Sequence, residues 1–395
     1  MPNRSEPTVE SSGPRLEVSL SDLLVDQELL AAAHDAVASG WWSMGPRVAA
    51  FEREFADFCG IRHAFVVANG TAAIHVALLA TGIGPGDEVI VPSLTFVAAA
   101  NMVRAVGATP VFCDIVGPQD LNLDPDDVAA AVTPATRAVM PVHYGGYPCD
   151  MDALAPIVVG DELFLIEDAA HAPGASLHGR RLGTFGAAGC FSFFSNKNLP
   201  IGEGGMIVTD DDDVAERIRL LRSHGMTTLT WDRHRGHASG YDVLIHGFNY
   251  RLDELRAAIG RVQLARLDDN NAARGRHADR YRERLAAVDG LVVPFARDVP
   301  GGRPAYHLQE VVLPEGIARD AVRQTLAAAG VQTSVHYPPI HTFQAFAADA
   351  GRRPLPRTDA VAPRLLTLPL YPHLTDDQID SVVDALTDAI AATRG

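Results

Sequence analysis

The sequence contains almost no lysine: of its 33 basic residues, 32 are arginines and Lys197 is the single lysine. Both side chains carry positive charge, but only the lysine amine can give up its proton and attack a carbonyl carbon. Surface charge does not require Lys197, because arginine provides it everywhere else. The composition therefore indicates a position where a free amine could be needed, with a chance surface lysine as the alternative.

Cysteine is scarce, and long apolar runs are absent. The four cysteines are widely spaced and form no C-x-x-C pair, which argues against a zinc site and against a disulfide framework. No metal ligands are expected among the scattered histidines either. The sequence has no run of about 18 apolar residues and no signal-peptide pattern in its first 20 residues. A cytoplasmic protein without membrane contacts is expected.

Positive charge is in deficit, since the formal net charge is −16. Nucleic acids and anionic membranes are bound by clustered Lys and Arg, so neither is expected as a partner. An anionic ligand would need a locally basic site. The densest candidate is residues 222–237, which contain Arg222, Arg233, Arg235 and Trp231. A solvated loop is the alternative interpretation of this stretch.

Short, nearly continuous apolar runs alternate with helical patterns up to about residue 210. Such alternation is typical of an α/β fold with a mostly parallel sheet between helices. The predicted strands are EVIVP (88–92), TPVFCDI (109–115), RAVMPVH (137–143), LFLIEDA (163–169), GCFSFF (189–194) and GMIVTD (205–210). The predicted helices between them include 71–82, 96–107 and 125–132.

Two domains are expected from the length and from a change of pattern after residue 210. Residues 1–15, rich in Ser, Pro and Glu, are predicted to be a flexible tail. A large domain is predicted over 16–270 and a small C-terminal α/β domain over 271–395. The small domain should contain strands GLVVPF, YHLQEVVL and VQTSVHY, and helices near 316–329 and 375–391.

Three local patterns together match the needs of pyridoxal 5′-phosphate (PLP). Lys197 follows an apolar strand and precedes the turn G-E-G-G, and Asp168 ends another strand, where a carboxylate can hold a proton on a pyridine nitrogen. The stretch NGTAAIHVALL places a Gly-Thr turn at a helix start, which suits a phosphate. Each pattern alone has an ordinary structural explanation, such as a helix cap. Their joint presence favours a PLP site.

The sequence resembles the DegT/StrS-type nucleotide-sugar aminotransferases from about residue 18 onward. These are PLP enzymes of the aspartate aminotransferase superfamily, so the resemblance implies the fold-type I architecture. The matching motifs, in chain order, are SGWWSMGPRVAAFEREFA, NGTAAIHVAL, PSLTFVAAAN, EDAAHAPGA, FSFFSNKNLPIGEGGMIVTDD, GFNYRLDELRAAIG and VHYPPIH.

The resemblance also implies roles for matching residues. Lys197 would bind PLP covalently, Asp168 would pair with the pyridine nitrogen, and His171 would neighbour the phenolic oxygen, where many relatives carry Gln. Relatives that carry His in place of the lysine are dehydratases, a branch that Lys197 argues against. The remaining cofactor contacts would be Gly70, Thr71, Ala72, Ser192, Phe96 stacking on the ring, and Asn249 donated by the other subunit of a homodimer.

The implied reaction moves an amino group from glutamate or glutamine to a keto sugar nucleotide. The G-E-G-G motif resembles the branch that aminates C4 of 4-keto-6-deoxyhexoses in deoxysugar biosynthesis. Amination of 3-keto sugars or cyclitol ketones is the alternative. The residues expected to bind the substrate are His336, Tyr337, His341, Arg233 and Arg235. For the three from VHYPPIH, a role in the core or in a turn is the alternative.

Other enzyme classes lack their signatures. The glycines of GIGPGDEVIVP follow a helix and precede a strand, the reverse of the order in a dinucleotide-binding motif. There is no G-K-[ST] for a P-loop and no G-x-S-x-G for a hydrolase. A non-catalytic regulator or binding module with the same fold is the remaining alternative, and the joint presence of Lys197 and Asp168 argues against it.

Overall fold

A computed structural model describes residues 17–228, 240–296, 299–350 and 353–394. Its centre is a seven-stranded sheet in the order β1-β11-β10-β7-β6-β2-β3. These strands are β1 (His63–Val67), β2 (Glu88–Pro92), β3 (Thr109–Cys113), β6 (Thr136–Val139), β7 (Phe164–Asp168), β10 (Ala188–Ser192) and β11 (Gly205–Thr209). Shorter strands outside this sheet are β4 (Ile115–Gly117), β5 (Asp120–Leu123), β8 (Ser176–Leu177), β9 (Arg180–Arg181) and β12 (Gly302–Arg303).

The sheet is parallel except for β11, which runs antiparallel to both of its neighbours, β1 and β10. The predicted mostly parallel sheet is therefore confirmed. Because the other strands share one direction, their carboxyl ends lie along one edge, where open α/β sheets bind ligands.

Both faces of the sheet are buried, as the continuous apolar runs predict. In β2, Ile90 packs in one core cluster while its neighbours Val89 and Val91 pack in another, because successive side chains point to opposite faces. The helices that cover these faces are α1 (Gln27–Ala38), α2 (Pro46–Cys59), α3 (Gly70–Ala80), α4 (Ala98–Ala105), α5 (Pro125–Ala131), α6 (Met151–Gly160), α7 (Asp212–Leu221) and α8 (Glu254–Ala265).

A smaller C-terminal unit has its own core around a two-stranded antiparallel sheet. Its elements are β13 (Gln309–Val312), α10 (Arg319–Ala328), α11 (Pro356–Val361), β14 (Leu365–Leu368) and α12 (Asp376–Arg394). Helix α9 (Leu267–Leu285) joins the two units, since Leu267 packs in the core of the large unit while Tyr281 and Leu285 pack in the C-terminal core. The predicted boundary near residue 270 lies within this helix and stays a prediction.

Two expectations for the smaller unit are wrong. GLVVPF and VQTSVHY do not form strands; they contribute only single bridge residues, Val292 in the first and Val331 and Ser334 in the second. The strand that pairs with β13 is instead β14, which the sequence analysis did not identify. The backbone after Ser334 leaves the sheet and brings His336 and Tyr337 toward the large unit, which is incompatible with continued strand pairing.

Residues 17–22 also differ from expectation, because they pack on the C-terminal unit rather than on the large domain assigned to them. Val18 belongs to the C-terminal core and forms a parallel bridge with Val331. The Leu370 N–H donates to the Leu20 carbonyl, and Asp22 pairs with His373 at 2.9 Å. Within the described ranges, none of the helices has both the length and the apolar character needed to cross a bilayer.

Candidate active site

Two adjacent carboxylates at the end of β7 have different roles because neighbouring side chains of a strand point to opposite faces. Glu167 is fully buried and accepts hydrogen bonds from the N–H groups of Gly183 (2.7 Å) and Gly186 (2.9 Å). Asp168 lies on the other face, and its Oδ1 accepts the Ala170 N–H at 3.0 Å. Glu167 therefore stabilises the loop that contains Gly183 and Gly186, and Asp168 is the carboxylate at the ligand-binding edge of the sheet.

Burial sets the electrostatics of this acid. Loss of solvation raises the pKa of Asp168 above its ordinary range, and the Ala170 N–H and the charge of Lys197 act in the opposite direction. A positively charged partner would restore the ionised form. The protonated nitrogen of a pyridine ring is such a partner, so this carboxylate fits the position expected for PLP.

Lys197 lies in the loop between β10 and β11, at the same edge of the sheet. Its backbone N–H donates to the Phe194 carbonyl at 2.9 Å, which closes a turn that holds the side chain over the strand ends. Burial lowers the pKa of the Lys197 ammonium to about 8, against the opposing attraction of Asp168. An amine with this pKa has a substantial unprotonated fraction near neutral pH, as a nucleophile or general base requires.

His171 is buried and neutral, and its hydrogen bonds define its tautomer. The Gly145 N–H can only donate, so Nδ1 of His171, 3.3 Å away, is the acceptor. The ring proton is therefore on Nε2, which donates to the Tyr337 hydroxyl at 3.0 Å. Burial, with smaller effects of Lys197 and His336, lowers the pKa of His171 well below its ordinary value. Its role beside the phenolic oxygen stays a prediction.

The turn that supports His171 requires glycine. Gly145 and Gly146 adopt φ angles of 62° and 87°, in the left-handed region that side chains disfavour. A Cβ atom on Gly146 would also lie 2.7 Å from the His171 carbonyl oxygen. The close approach of this turn fixes both the backbone and the ring of His171.

A chain of rings connects the exposed side of the site to the lysine. Phe96 is 53% exposed, and its ring centroid lies 5.8 Å from that of Tyr337. Beyond Tyr337, the rings of His171 and His307 are 4.5 Å apart, and His307 Nε2 lies 3.5 Å from Lys197 Nζ. The structure thus brings Phe96, Tyr337, His171 and Lys197 together.

The start of α3 has the features of a phosphate site. Asn69 caps the helix by accepting the Ala72 N–H on its side chain at 2.8 Å. That bond occupies the N–H of Ala72, one of the predicted cofactor contacts, and leaves Gly70 and Thr71 to contribute the first N–H groups of the helix. A Cβ on Gly70 would meet Ser192 Cβ at 2.8 Å. Glycine therefore lets the Ser192 hydroxyl lie against the helix start, where both can contact one phosphate.

A buried polar chain supports His336. Its Nδ1 lies 2.8 Å from the Thr367 hydroxyl, which donates to Glu310 Oε1 at 2.8 Å. The Thr367 hydroxyl thus links the His336 ring to the buried Glu310 carboxyl group. Burial raises the pKa of Glu310 to about 8 and lowers that of His336 to about 4, so both side chains are mainly uncharged near neutral pH.

Glu310→Gln should change how stability depends on pH. A carboxyl whose pKa is about 8 when folded and 4.5 ordinarily holds its proton more tightly in the folded protein. Its contribution to the free energy of unfolding is fully present below pH 4.5. That contribution is lost as pH rises toward 8, at up to about 1.4 kcal/mol per pH unit. The variant should gain stability relative to wild type over this window, measured by urea unfolding at several pH values.

The exposed Glu315→Gln variant, in the same unit, is the matched control and should follow the wild-type pH dependence. An unchanged pH slope in Glu310→Gln would show that Glu310 titrates normally.

Other predicted site residues have different environments. His341 contacts Ser93 Oγ (2.7 Å) through Nδ1 and Asp359 (3.0 Å) through Nε2, so both ring nitrogens hold the fold together. Arg222 is buried, donates a hydrogen bond to the Val66 carbonyl and forms an ion pair with Glu52. Its prediction as part of a ligand-binding patch is therefore wrong. Arg233, Arg235 and Trp231 lie outside the described residues. Asn249 is exposed on the single chain.

Sequence analysis missed His307 and Asn198, which complete the surroundings of Lys197. His307 is 5% exposed, and its Nδ1 lies 3.0 Å from Asn198 Oδ1. A polar ring inside the apolar stretch YHLQEVVL was the available signal, but nothing in the spacing connects residue 307 to residue 197. The contact arises only when the C-terminal unit packs on the large one.

Comparisons with known proteins agree along nearly the whole chain. The family model for the DegT/DnrJ/EryC1/StrS aminotransferase family matches residues 24–387. The spore coat polysaccharide biosynthesis protein SpsC of Bacillus subtilis is 42% identical over 93% of this chain and 95% of its own. GDP-perosamine synthase of Caulobacter vibrioides is 40% identical over 97% and 99%. The structure of DesV from S. venezuelae matches with a TM-score of 0.85 and 39% identity, over 95% of this chain and 99% of that one.

Proposed function

Since the chain belongs to the DegT/DnrJ/EryC1/StrS aminotransferase family, whose members use PLP, we propose that it transfers an amino group from glutamate or glutamine to C4 of a nucleoside-diphosphate 4-keto-6-deoxyhexose. The chain is a sugar aminotransferase with the PLP-dependent transferase fold. The observation that carries the proposal is the Lys197 amine, with its pKa lowered to about 8, at the sheet edge that also holds Asp168.

Each residue around Lys197 has a task in this reaction. When bound, PLP supplies an electron-withdrawing ring that stabilises negative charge on the α carbon of the amino donor. Lys197 would remove the proton from that carbon and, in the second half of the cycle, donate a proton to the sugar carbon that receives nitrogen. Asp168 would hold a proton on the ring nitrogen, and Phe96 would cover one face of the ring.

The helix start and Ser192 would anchor the cofactor through its phosphate. The first N–H groups of α3, at Gly70 and Thr71, form the positive end of the helix dipole, which favours binding of a dianion. Anchoring at a point away from the reacting carbon lets Lys197 move without releasing the cofactor.

The preference for C4 rests on the G-E-G-G motif. The nucleoside diphosphate in the proposed substrate is supported by the relative named GDP-perosamine synthase, whose name contains GDP. In the site, the His336 ring and the Tyr337 hydroxyl are the polar side chains that we propose contact sugar hydroxyls. Arg233 and Arg235 remain our candidates for the diphosphate. Amination of a 3-keto sugar or a cyclitol ketone is the alternative outcome of the experiment below.

We also propose a homodimer that shares its two active sites. Asn249 follows a segment with exposed apolar side chains, with Tyr241 55%, Val243 50% and Leu244 58% exposed on the single chain. A second copy that covers this segment would bury these side chains and bring Asn249 to the neighbour's cofactor phosphate. The mass of the purified protein in solution tests the proposal directly, and a monomeric mass would contradict it.

Absorbance between 300 and 500 nm tests the reaction. The purified protein should show a visible band from bound PLP that bleaches with glutamate or glutamine. The band should then return with one member of a panel of 4-keto and 3-keto nucleotide sugars. Recovery only with a 3-keto sugar would replace the C4 assignment. A band that neither donor bleaches would contradict the proposed donor, and a protein that binds no PLP would be the binding module considered above.

A further inference from the structure

A chain of side-chain amides and one imidazole ends on the Lys197 amine. Asn271 Nδ2 lies 2.9 Å from the Pro173 carbonyl oxygen. Asn198 Nδ2 lies 2.7 Å from Asn271 Oδ1 and 2.6 Å from the Ala305 carbonyl oxygen. The chain continues through Asn198 Oδ1 to His307 and then to Lys197. Its members are buried except for the half-buried lysine.

Two backbone carbonyls fix the direction of every hydrogen bond in this chain. A carbonyl oxygen can only accept, so the Asn271 and Asn198 groups that face Pro173 and Ala305 are the NH₂ groups. Asn198 therefore turns its oxygen toward His307. Since that oxygen can only accept, His307 Nδ1 must carry the ring proton. His307 Nε2 is left with a bare lone pair, and this atom faces Lys197 Nζ at 3.5 Å.

We propose that His307 is the positioning residue of the lysine: its unprotonated Nε2 accepts an N–H from Nζ, orients the amine and stabilises it while it carries a proton. The proposal deepens the proposed function, on which the usefulness of this orientation rests. The contact itself can be tested on the chain without cofactor or substrate. The Asn198 side chain, which fixes the tautomer of His307, belongs to the residue directly after the lysine.

The other groups around Lys197 do not replace this acceptor. Among the described residues, the titratable groups that interact electrostatically with Lys197 are Asp168, His171, His307 and His336. Burial, together with the charge of Lys197, lowers the pKa of all three histidines, so they stay uncharged near neutral pH. His171 presents a donor toward Tyr337 rather than a lone pair. Asp168 attracts the ammonium by its charge, and His307 Nε2 provides the directed hydrogen bond.

The single lysine makes this contact observable. Full-length protein grown with lysine labelled with ¹³C at Cε and freed of cofactor gives one lysine signal by NMR, so its pH titration reports the Lys197 amine alone. The matched variants are His307→Asn and His307→Gln. Asn keeps an amide at the Nδ1 position for Asn198 and leaves nothing at Nε2, whereas Gln places an amide oxygen near the Nε2 position.

Removing an acceptor of the charged amine should make the amine lose its proton more readily. In His307→Asn we expect the titration midpoint of Lys197 to fall by about one pH unit relative to wild type, the size of one hydrogen bond to a charged group. In His307→Gln the titration midpoint of Lys197 should lie close to the wild-type value. With the cofactor-loaded protein, the acidic limb of the kcat profile should move in the same direction, provided that Lys197 acts as the base.

The results separate contact, folding and function. Wild-type midpoints in both variants would overturn the proposal, and so would equal changes in both, because a general loosening of the fold would not distinguish Asn from Gln. Thermal unfolding identifies a variant that does not fold, and the other variant then decides. If the midpoint moves as expected but no transamination is found in wild type, the contact stands and the proposed function fails.

Discussion

Lys197→Arg should leave a folded protein that transfers amino groups at least about 10⁴-fold more slowly than wild type. Arginine keeps the positive charge and much of the length of the side chain. However, its guanidinium does not lose its proton and is not a nucleophile. The loss combines a proton-transfer contribution of about 10²–10⁴-fold with that of the covalent bond to the cofactor. Product formation with glutamate and the acceptor sugar measures it, and the visible band of bound PLP should change as well.

The composition of the chain offers an unusual control. Arg53 is exposed on α2, so Arg53→Lys should retain full activity. The double variant Arg53→Lys with Lys197→Arg has the same amino-acid composition as wild type and should be as inactive as Lys197→Arg. Activity in this double variant, or substantial turnover by Lys197→Arg alone, would show that the amine at position 197 is not the reacting group.

Asp168→Asn should reduce amino transfer by about 10³-fold, within the range for loss of one proton-holding group. The amide can still accept the Ala170 N–H, so the local turn should persist, but it carries no charge to hold a proton on the ring nitrogen. The same charge raises the pKa of Lys197, so the variant should also lower the midpoint of the single lysine titration. Turnover and the NMR titration together measure the two effects.

Asp161→Asn is the matched control, since this exposed acid follows α6 and precedes β7, near the end of the strand opposite Asp168. It should change neither turnover nor the lysine midpoint. Wild-type turnover in Asp168→Asn would assign Asp168 to the turn alone. A loss of turnover with an unchanged lysine midpoint would mean that its charge does not reach the amine.

Six of the seven strands of the central sheet could be predicted because they carry their own signal, whereas β1 was not identified from the sequence. EVIVP coincides with β2, and the other five predicted runs overlap the observed strands to within a few residues. Strands buried on both faces must be apolar throughout, so the sequence alone identifies them, without knowledge of tertiary contacts. RAVMPVH is longer than β6 because Pro141, which has no N–H to donate, interrupts the regular ladder after Val139; beyond it the strand direction continues only as a single bridge between Val142 and Asp168.

The strands of the smaller unit were harder to predict because some of its apolar residues pack against the large unit instead of within their own. In YHLQEVVL, β13 begins only at the fourth residue, Gln309, since Tyr306 and His307 contact the large unit. LLTL in β14 is only four residues long, too short to be distinguished from the end of a helix. Local pattern cannot show which of several short apolar runs will pair.

The residues of the candidate site also fall into predictable and unpredictable groups. Lys197 and Asp168 follow strands whose direction is predictable, so both could be placed at one edge of the sheet. His307 and Asn198 acquire their roles from a hydrogen-bond chain that also needs Asn271 and two backbone carbonyls from distant segments. A single-residue pattern carries no information on such a chain, because every link depends on the docked arrangement of the two units.

The pairing of residues 17–22 with the C-terminal unit has a consequence for the order of assembly during translation. The partners of this segment, at Val331, Leu370 and His373, are synthesised more than 300 residues later. At about 5–20 residues per second, roughly 15–60 s pass between the emergence of the segment and that of its partners. The apolar Val18 side chain has no native packing partner during this interval. A segment that leaves the ribosome early is therefore among the last to dock.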